Sequence, residues 1–140
     1  MSVRFLDTNI LLYAVSTDPG EQDKARRARD LLDETDLALS VQVLQEFYVQ
    51  ATRASRAQPL THEQARDFVE AFSRFPVQDL TLPVVRDALA IRARFGLSYW
   101  DSAIIAAARA AGCRQVLSED LSHGRDYDGV TVVNPLLGSD

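Results

Sequence analysis

VRFLDTNILLYAV, residues 3–15, is apolar at both ends and carries three small polar residues, Asp7, Thr8 and Asn9, in its middle. Val3–Leu6 reads as a short buried strand, and Asp7 is suited to cap a helix beginning just after it. A buried polar group without a partner costs about 1–3 kcal/mol. The trio therefore either caps a turn or faces something that binds oxygen.

The remainder of the chain bears on that choice first through its totals. At 140 residues it is expected to form one domain, 1–140, long enough to bury about two thirds of its unfolded surface. Hydrophobic content of 46% and charged content of 25% are ordinary for a globular protein. No apolar run approaches the roughly 20 residues of a membrane helix, and no basic segment leads into an apolar one at the start. The expected setting is cytoplasmic, with no membrane partner. The single cysteine, Cys113, excludes an internal disulfide and a thiolate zinc cluster, and is expected to pack as a small hydrophobe.

A net charge of −5 argues against a polyanionic partner, yet 14 of the 15 basic residues are Arg. They cluster at Lys24–Arg29 (KARRAR), at Arg53 with Arg56, and at Arg92 with Arg94. The planar guanidinium suits phosphate, although each cluster also reads as a solvated helix face. Carboxylates gathered around a metal would add to the negative total, so charge alone leaves the question open.

Working outward, Glu21–Asp33 reads as a charged helix with Ala25, Ala28, Leu31 and Leu32 at helical spacing. Leu37–Leu39 is a second strand, after which Ser40 caps a helix running to about Ser55. THEQ, Thr61–Gln64, has the form of a capping box, and Ala65, Phe68, Val69 and Phe72 follow on one helical face. A brief strand is expected at Val77–Leu80. Thr81 then opens a helix with Pro83 in its first turn and Gly96 beyond its end. Ser98 opens an Ala-rich helix closed by Gly112; Gln115–Leu117 and Val130–Val133 are the last strands. Strands separated by helices predict an α/β fold, a parallel sheet covered on both faces. In such sheets ligands bind beyond the carboxyl ends of the strands.

Four acids fall at that edge. Asp7 ends the first strand and Asp120 follows the fourth; Asp101 lies in the first turn of the Ala-rich helix, and Glu46 about a turn and a half into the helix begun by Ser40. Each has a duller reading: Asp7 and Asp120 as caps, Glu46 as surface, and Asp101 as part of a capping box, S-Y-W-D. Their convergence would raise one another's pKa unless a cation were present. An all-oxygen set without paired His or Cys points to Mg²⁺ or Mn²⁺. His62 and His123 are the only imidazoles; His123 is a minor candidate for a substrate contact. Tyr99 or Trp100 can stack on a base, but Trp100 is expected to be a core anchor.

FLDTNILLYA (5–14), SVQVLQEFY (40–48), LSYWDSAIIAAARAAGC (97–113) and VLSEDL (116–121) occur in an order that resembles PIN-domain ribonucleases, in particular VapC-like toxins of VapBC toxin–antitoxin pairs. The resemblance covers about Val3–Pro135. It implies a three-layer α/β/α sandwich around a parallel sheet, with Asp7, Glu46, Asp101 and Asp120 as catalytic and metal-binding acids. It implies Thr8, Asn9 and Ser118 as their supports, Asn9 orienting Asp7. Glu119 is an alternative to Asp120. It further implies an RNA substrate cut by water activated at Mg²⁺ or Mn²⁺, a homodimer, and a small antitoxin as inhibitor. Two other readings remain: an aspartate-based phosphatase, which would want an acid where Asn9 stands, and a metal-binding module without turnover.

Overall fold

The computed structural model describes residues 3–137. In chain order its elements are β1 (Arg4–Leu6), α1 (Thr8–Ala14), α2 (Gln22–Leu32), β2 (Leu37–Ser40), α3 (Val41–Ala51), α4 (His62–Phe72), β3 (Val77–Gln78), α5 (Leu82–Phe95), α6 (Tyr99–Ala110), β4 (Gln115–Leu117), β5 (Asp126–Tyr127) and β6 (Val130–Val133). The strands form one sheet in the order β3-β2-β1-β4-β6-β5.

β1 is central because its side chains are apolar on both faces. Phe5 stands opposite Ala38 on β2 and Val116 on β4, and Leu6 opposite Leu117, all parallel. Phe5, Leu6, Leu39, Val116 and Val132 are fully buried. From β1 the chain steps one way to β2 and β3, then returns across β1 to β4. Right-handed crossovers therefore put α1–α4 on one face and α5–α6 on the other. The outcome is the expected three-layer sandwich. The direction of winding reverses between β1 and β4, and the crevice opens at that reversal.

Caps do much of the local work. Thr61 and Gln64 form the reciprocal capping box that THEQ predicts. Ser40 accepts from Val43 N–H and Thr81 from Val84 N–H. Ser98 accepts from Asp101 N–H, so only the hydroxyl arm of the S-Y-W-D box is present. α6 buries Ser102, Ala103 and Ile104–Ala108 in succession; those small side chains let it lie against β2, β3, β4 and β6. Cys113 is buried as expected, and burial pushes its thiol up to about 11, leaving it unreactive at neutral pH.

Several expectations need correction. The sheet is not wholly parallel: Asp126–Tyr127 pairs antiparallel with Val130–Val133 as an edge hairpin. Its turn is Asp128-Gly129, with φ of +53° and +93°, a hairpin signature in the sequence that the strand pattern left unread. The helix after Ser40 ends at Ala51 rather than near Ser55; Leu60 N–H takes the Ala51 carbonyl and turns the chain into α4. Leu31 is only half-buried, and Phe68 is partly exposed, stacked on Phe72.

Trp100 is not a core anchor. It is 62% exposed, because it sits in the first turn of α6, before the helix reaches the sheet. Its indole meets Tyr99 edge-on at 5.1 Å. Arg29, from the KARRAR cluster, is structural: its guanidinium donates to the carbonyls of Ala14 and Ser16 at the end of α1. Arg26 and Arg27 pair with Asp23 on their own helix face.

Candidate active site

Asp7 leaves β1 where its backbone N–H still bonds the Leu117 carbonyl, so the first strand and the segment after β4 emerge side by side. Asp7 caps α1 through Thr8 N–H at 2.7 Å. The capping reading and the site reading thus describe one residue, with Oδ1 holding the helix and Oδ2 facing across to Ser118.

Ser118 is the hub. Its hydroxyl donates to Asp7 Oδ2 at 2.8 Å and accepts from the Asn9 amide at 3.2 Å and from the backbone N–H of Asp120 at 3.1 Å and Leu121 at 3.3 Å. Asn9 is equally committed. Its Nδ2 reaches Asp7 Oδ2 at 3.4 Å and Asp120 Oδ2 at 3.2 Å, while its Oδ1 accepts Glu119 N–H at 3.0 Å. Thr8 donates its hydroxyl to Glu46 Oε1 at 2.9 Å. These neutral donors separate the carboxylates of one small region. Among the described residues no buried side-chain polar atom lacks a partner.

Asp7, Glu46, Asp101 and Asp120 line one cavity of about 200 Å³ together with Thr8 and Asn9. Burial pushes the Asp7 carboxyl up to about 6. Hydrogen bonds from Ser118 and Thr8 oppose that rise, and the charges of Asp120 and Glu46 add to it. The Asp101 carboxylate has no hydrogen-bond or ion-pair partner among the described residues. Glu119 turns away from the cavity to the Tyr13 hydroxyl and the Lys24 ammonium. Burial alone would raise its pKa; Lys24 and Tyr13 outweigh burial and hold it below the ordinary carboxylate range. Asp120, and not Glu119, is the acid of this segment that reaches the cavity.

Among the described residues no three His, Cys, Asp or Glu side chains form a single ligand cluster. The four acids share a cavity, with Asp7 and Asp120 bridged by the Asn9 amide. Their donor set is all oxygen, which suits a hard divalent cation that binds through one or two carboxylates and keeps several waters. Asp7 with Asp120 is the pair already nearest a common partner.

Ser118→Ala tests the hub. It removes the donor that opposes the rise of Asp7 and leaves two backbone N–H groups short of an acceptor. Stability should fall by about 1–3 kcal/mol in urea unfolding. The Asp7 pKa, followed by carboxyl NMR without metal, should climb above its wild-type position.

The sequence did not point to the walls of the cavity. Leu12, Gln50 and Ile104 line it as well. Each lies three or four positions after a polar site residue on the same helix (Thr8, Glu46 and Asp101), so helical spacing was the available signal. His123 is not in the cavity; its Nδ1 accepts Asn134 N–H.

Known proteins share this fold. The profile of the PIN domain family matches residues 4–125. A search of curated protein sequences returns no match. Among solved structures, the toxin–antitoxin complex from Klebsiella pneumoniae is 22% identical, covers 94% of this chain and 97% of that one, and superposes with a TM-score of 0.68. DNA-bound VapBC from Salmonella typhimurium gives 23% identity, the same coverages and 0.67. VapC20 of Mycobacterium tuberculosis, a sarcin–ricin loop cleaving toxin, gives 17%, 84% and 89%, and 0.65.

Proposed function

The chain belongs to the PIN domain family, and from that premise we propose that it is a Mg²⁺- or Mn²⁺-dependent endoribonuclease, the toxin of a VapBC-type pair. The observation that carries this reading is the convergence of Asp7, Glu46, Asp101 and Asp120 on one cavity at the point where the sheet reverses direction. A buried carboxyl that the charges of Asp120 and Glu46 push up further is costly in a protein with no cation to receive.

Asp7 and Asp120 would hold the ion, with Asp101 and Glu46 available to its waters. When bound, it supplies acidity to water and neutralises charge on the phosphate. The remaining work belongs to the chain. Ser118 and Thr8 N–H keep Asp7 in one orientation; Asn9 fixes the spacing of Asp7 and Asp120; Thr8 anchors Glu46. Asp7 and Asp101 orient a water in line with the scissile phosphate. The water gives up a proton as its oxygen bonds to phosphorus, the bond from phosphorus to the 3′-oxygen breaks, and that oxygen takes up a proton in return. The products are a 5′-phosphate and a 3′-hydroxyl.

The phosphatase alternative is weaker here. The position that it would need as an acid is Asn9, whose amide donates to Asp120. A metal-binding module without turnover is separated by experiment. Partners follow the same reading: an antitoxin lying along the groove of α3 and α4 with a basic residue toward the acids, and a second copy of this chain. Among the described residues no helix is long and apolar enough to cross a membrane.

The test is purified protein with single-stranded RNA and Mg²⁺, with and without EDTA. The expected result is cutting that EDTA abolishes and that leaves 5′-phosphate ends. Release of phosphate from small monoesters would favour the phosphatase, and no turnover of either substrate the binding module.

A further inference from the structure

A second cavity, of about 490 Å³, adjoins the acidic one and shares Glu46, Gln50 and Trp100 with it. Its volume falls in the ~300–1,000 Å³ range of ligand sites. α3 supplies Gln42, Gln45, Val49 and Gln50, the turn after it Arg53, and the start of α6 Trp100. The indole, the only one in the chain, is 62% exposed. Its one aromatic contact among the described residues is the perpendicular packing with Tyr99, and a single such neighbour covers at most one face of the ring.

Gln42 is the informative residue. It is only 6% exposed, and its Nε2 donates to the Trp100 carbonyl at 3.3 Å. Its Oε1 accepts no hydrogen bond from the described residues. Since none of their buried side-chain polar atoms is unpartnered, that oxygen keeps access to solvent, and Gln42 lines the cavity. A buried carboxamide held at one end and free at the other is a preset acceptor.

We propose that this cavity takes an unpaired nucleobase of the substrate RNA, stacked on Trp100 and read at its edge by Gln42 and its neighbouring carboxamides. The inference rests on the nuclease reading and names how its substrate is held. A base has what the cavity lacks a partner for: a flat π-face for the indole and an edge that both donates and accepts for the glutamines. Arg53, exposed at the rim, can meet the phosphate of the same nucleotide. A base in a duplex offers neither face nor pairing edge, so the site selects unpaired strands. Continuity with the acidic cavity places the held nucleotide beside the phosphate to be cut.

The single tryptophan makes the test direct. Wild-type protein in EDTA is titrated, with tryptophan fluorescence as readout, against a mixed-sequence single-stranded RNA, the same strand carrying abasic sites, and its duplex. Saturable quenching by the single strand is expected, with binding to the abasic strand and duplex at least about fivefold weaker. In Mg²⁺, Trp100→Ala should raise KM for RNA by about 5- to 150-fold, the span of one lost base stack, with kcat changed much less. Trp100→Phe should restore most of that loss.

Equal quenching by the abasic strand, or an unchanged KM in Trp100→Ala, overturns the base pocket while leaving the nuclease reading intact. The second result would assign this surface to a protein partner instead. Base-dependent quenching from a protein that cuts no RNA would do the opposite, retaining the pocket and removing the nuclease.

Discussion

Asp7→Asn should abolish cleavage and at the same time make the protein more stable. Both effects have one cause. Asp7 is buried, and its carboxyl sits at about 6 against 3.8 for a free carboxyl. The native state therefore holds this proton more tightly than the unfolded chain does. Below about pH 3.8 both states are protonated and the site costs nothing. Between about 4 and 6 the native state loses stability as pH rises, and above 6 the full penalty remains, about 3 kcal/mol in the metal-free protein.

Asn has the same shape without the charge. Its Oδ1 can keep the Thr8 N–H bond that caps α1, and no charge is left to desolvate. Urea unfolding in EDTA should show the variant more stable than wild type by up to about 3 kcal/mol at pH 7.5, with the gap closing toward pH 4. Cleavage should fall by at least about 10²-fold, as for loss of a group that stabilises charge in the transition state. Added Mg²⁺ should raise the melting temperature of wild type and leave the variant almost unmoved. A variant that cuts RNA normally removes Asp7 from the reaction. One that is no more stable at pH 7.5 removes the argument that function keeps a strained charge here.

Phe47→Ala should produce the largest loss of stability. Phe47 is fully buried, edge-on to Phe72 at 5.1 Å and to Phe68 at 6.4 Å. It packs α3 against α4 through both of these rings. Truncation removes its transfer free energy and leaves a cavity that two stacked rings on α4 cannot close. A cost of about 3–5 kcal/mol is expected, a large share of the 5–15 kcal/mol typical of a whole domain. Leu89→Ala, at a position 54% exposed on α5, should stay within about 0.5 kcal/mol in the same urea titration. Activity should suffer more from Phe47→Ala than the folded fraction explains, because Glu46 precedes it on α3 and reaches the site only while that helix is held.

Much of the architecture was legible because it is written in short-range chemistry. A hydroxyl before an apolar periodic run marks a helix start, as at Ser40, Thr61, Thr81 and Ser98, and each of those hydroxyls does cap in the folded chain. The edge hairpin was missed since its strand, Asp126–Tyr127, is two residues long and announces itself only by the Asp-Gly turn after it. Trp100 was misplaced for a different reason. Residue type sets a tendency to be buried, while the point at which a helix meets the sheet is fixed by elements far away. Arg29 shows the same limit: a cation in a basic run looks solvated until the end of α1 arrives beneath it.

The candidate site divides along the same line. The amino-acid order alone determined which oxygen-bearing residues follow strands and begin helices, because those junctions are local. It determined the all-oxygen chemistry too, since no thiol or imidazole competes at these positions. Only the tertiary structure decided which acid reaches the cavity and which carboxyl is perturbed. Asp120 rather than Glu119 faces inward because Lys24 and Tyr13 draw Glu119 away. Asp7 is set by burial and by a hydroxyl 111 positions along the chain. Desolvation and hydrogen bonding act through space, and a sequence holds the parts of such a site without holding the distances between them.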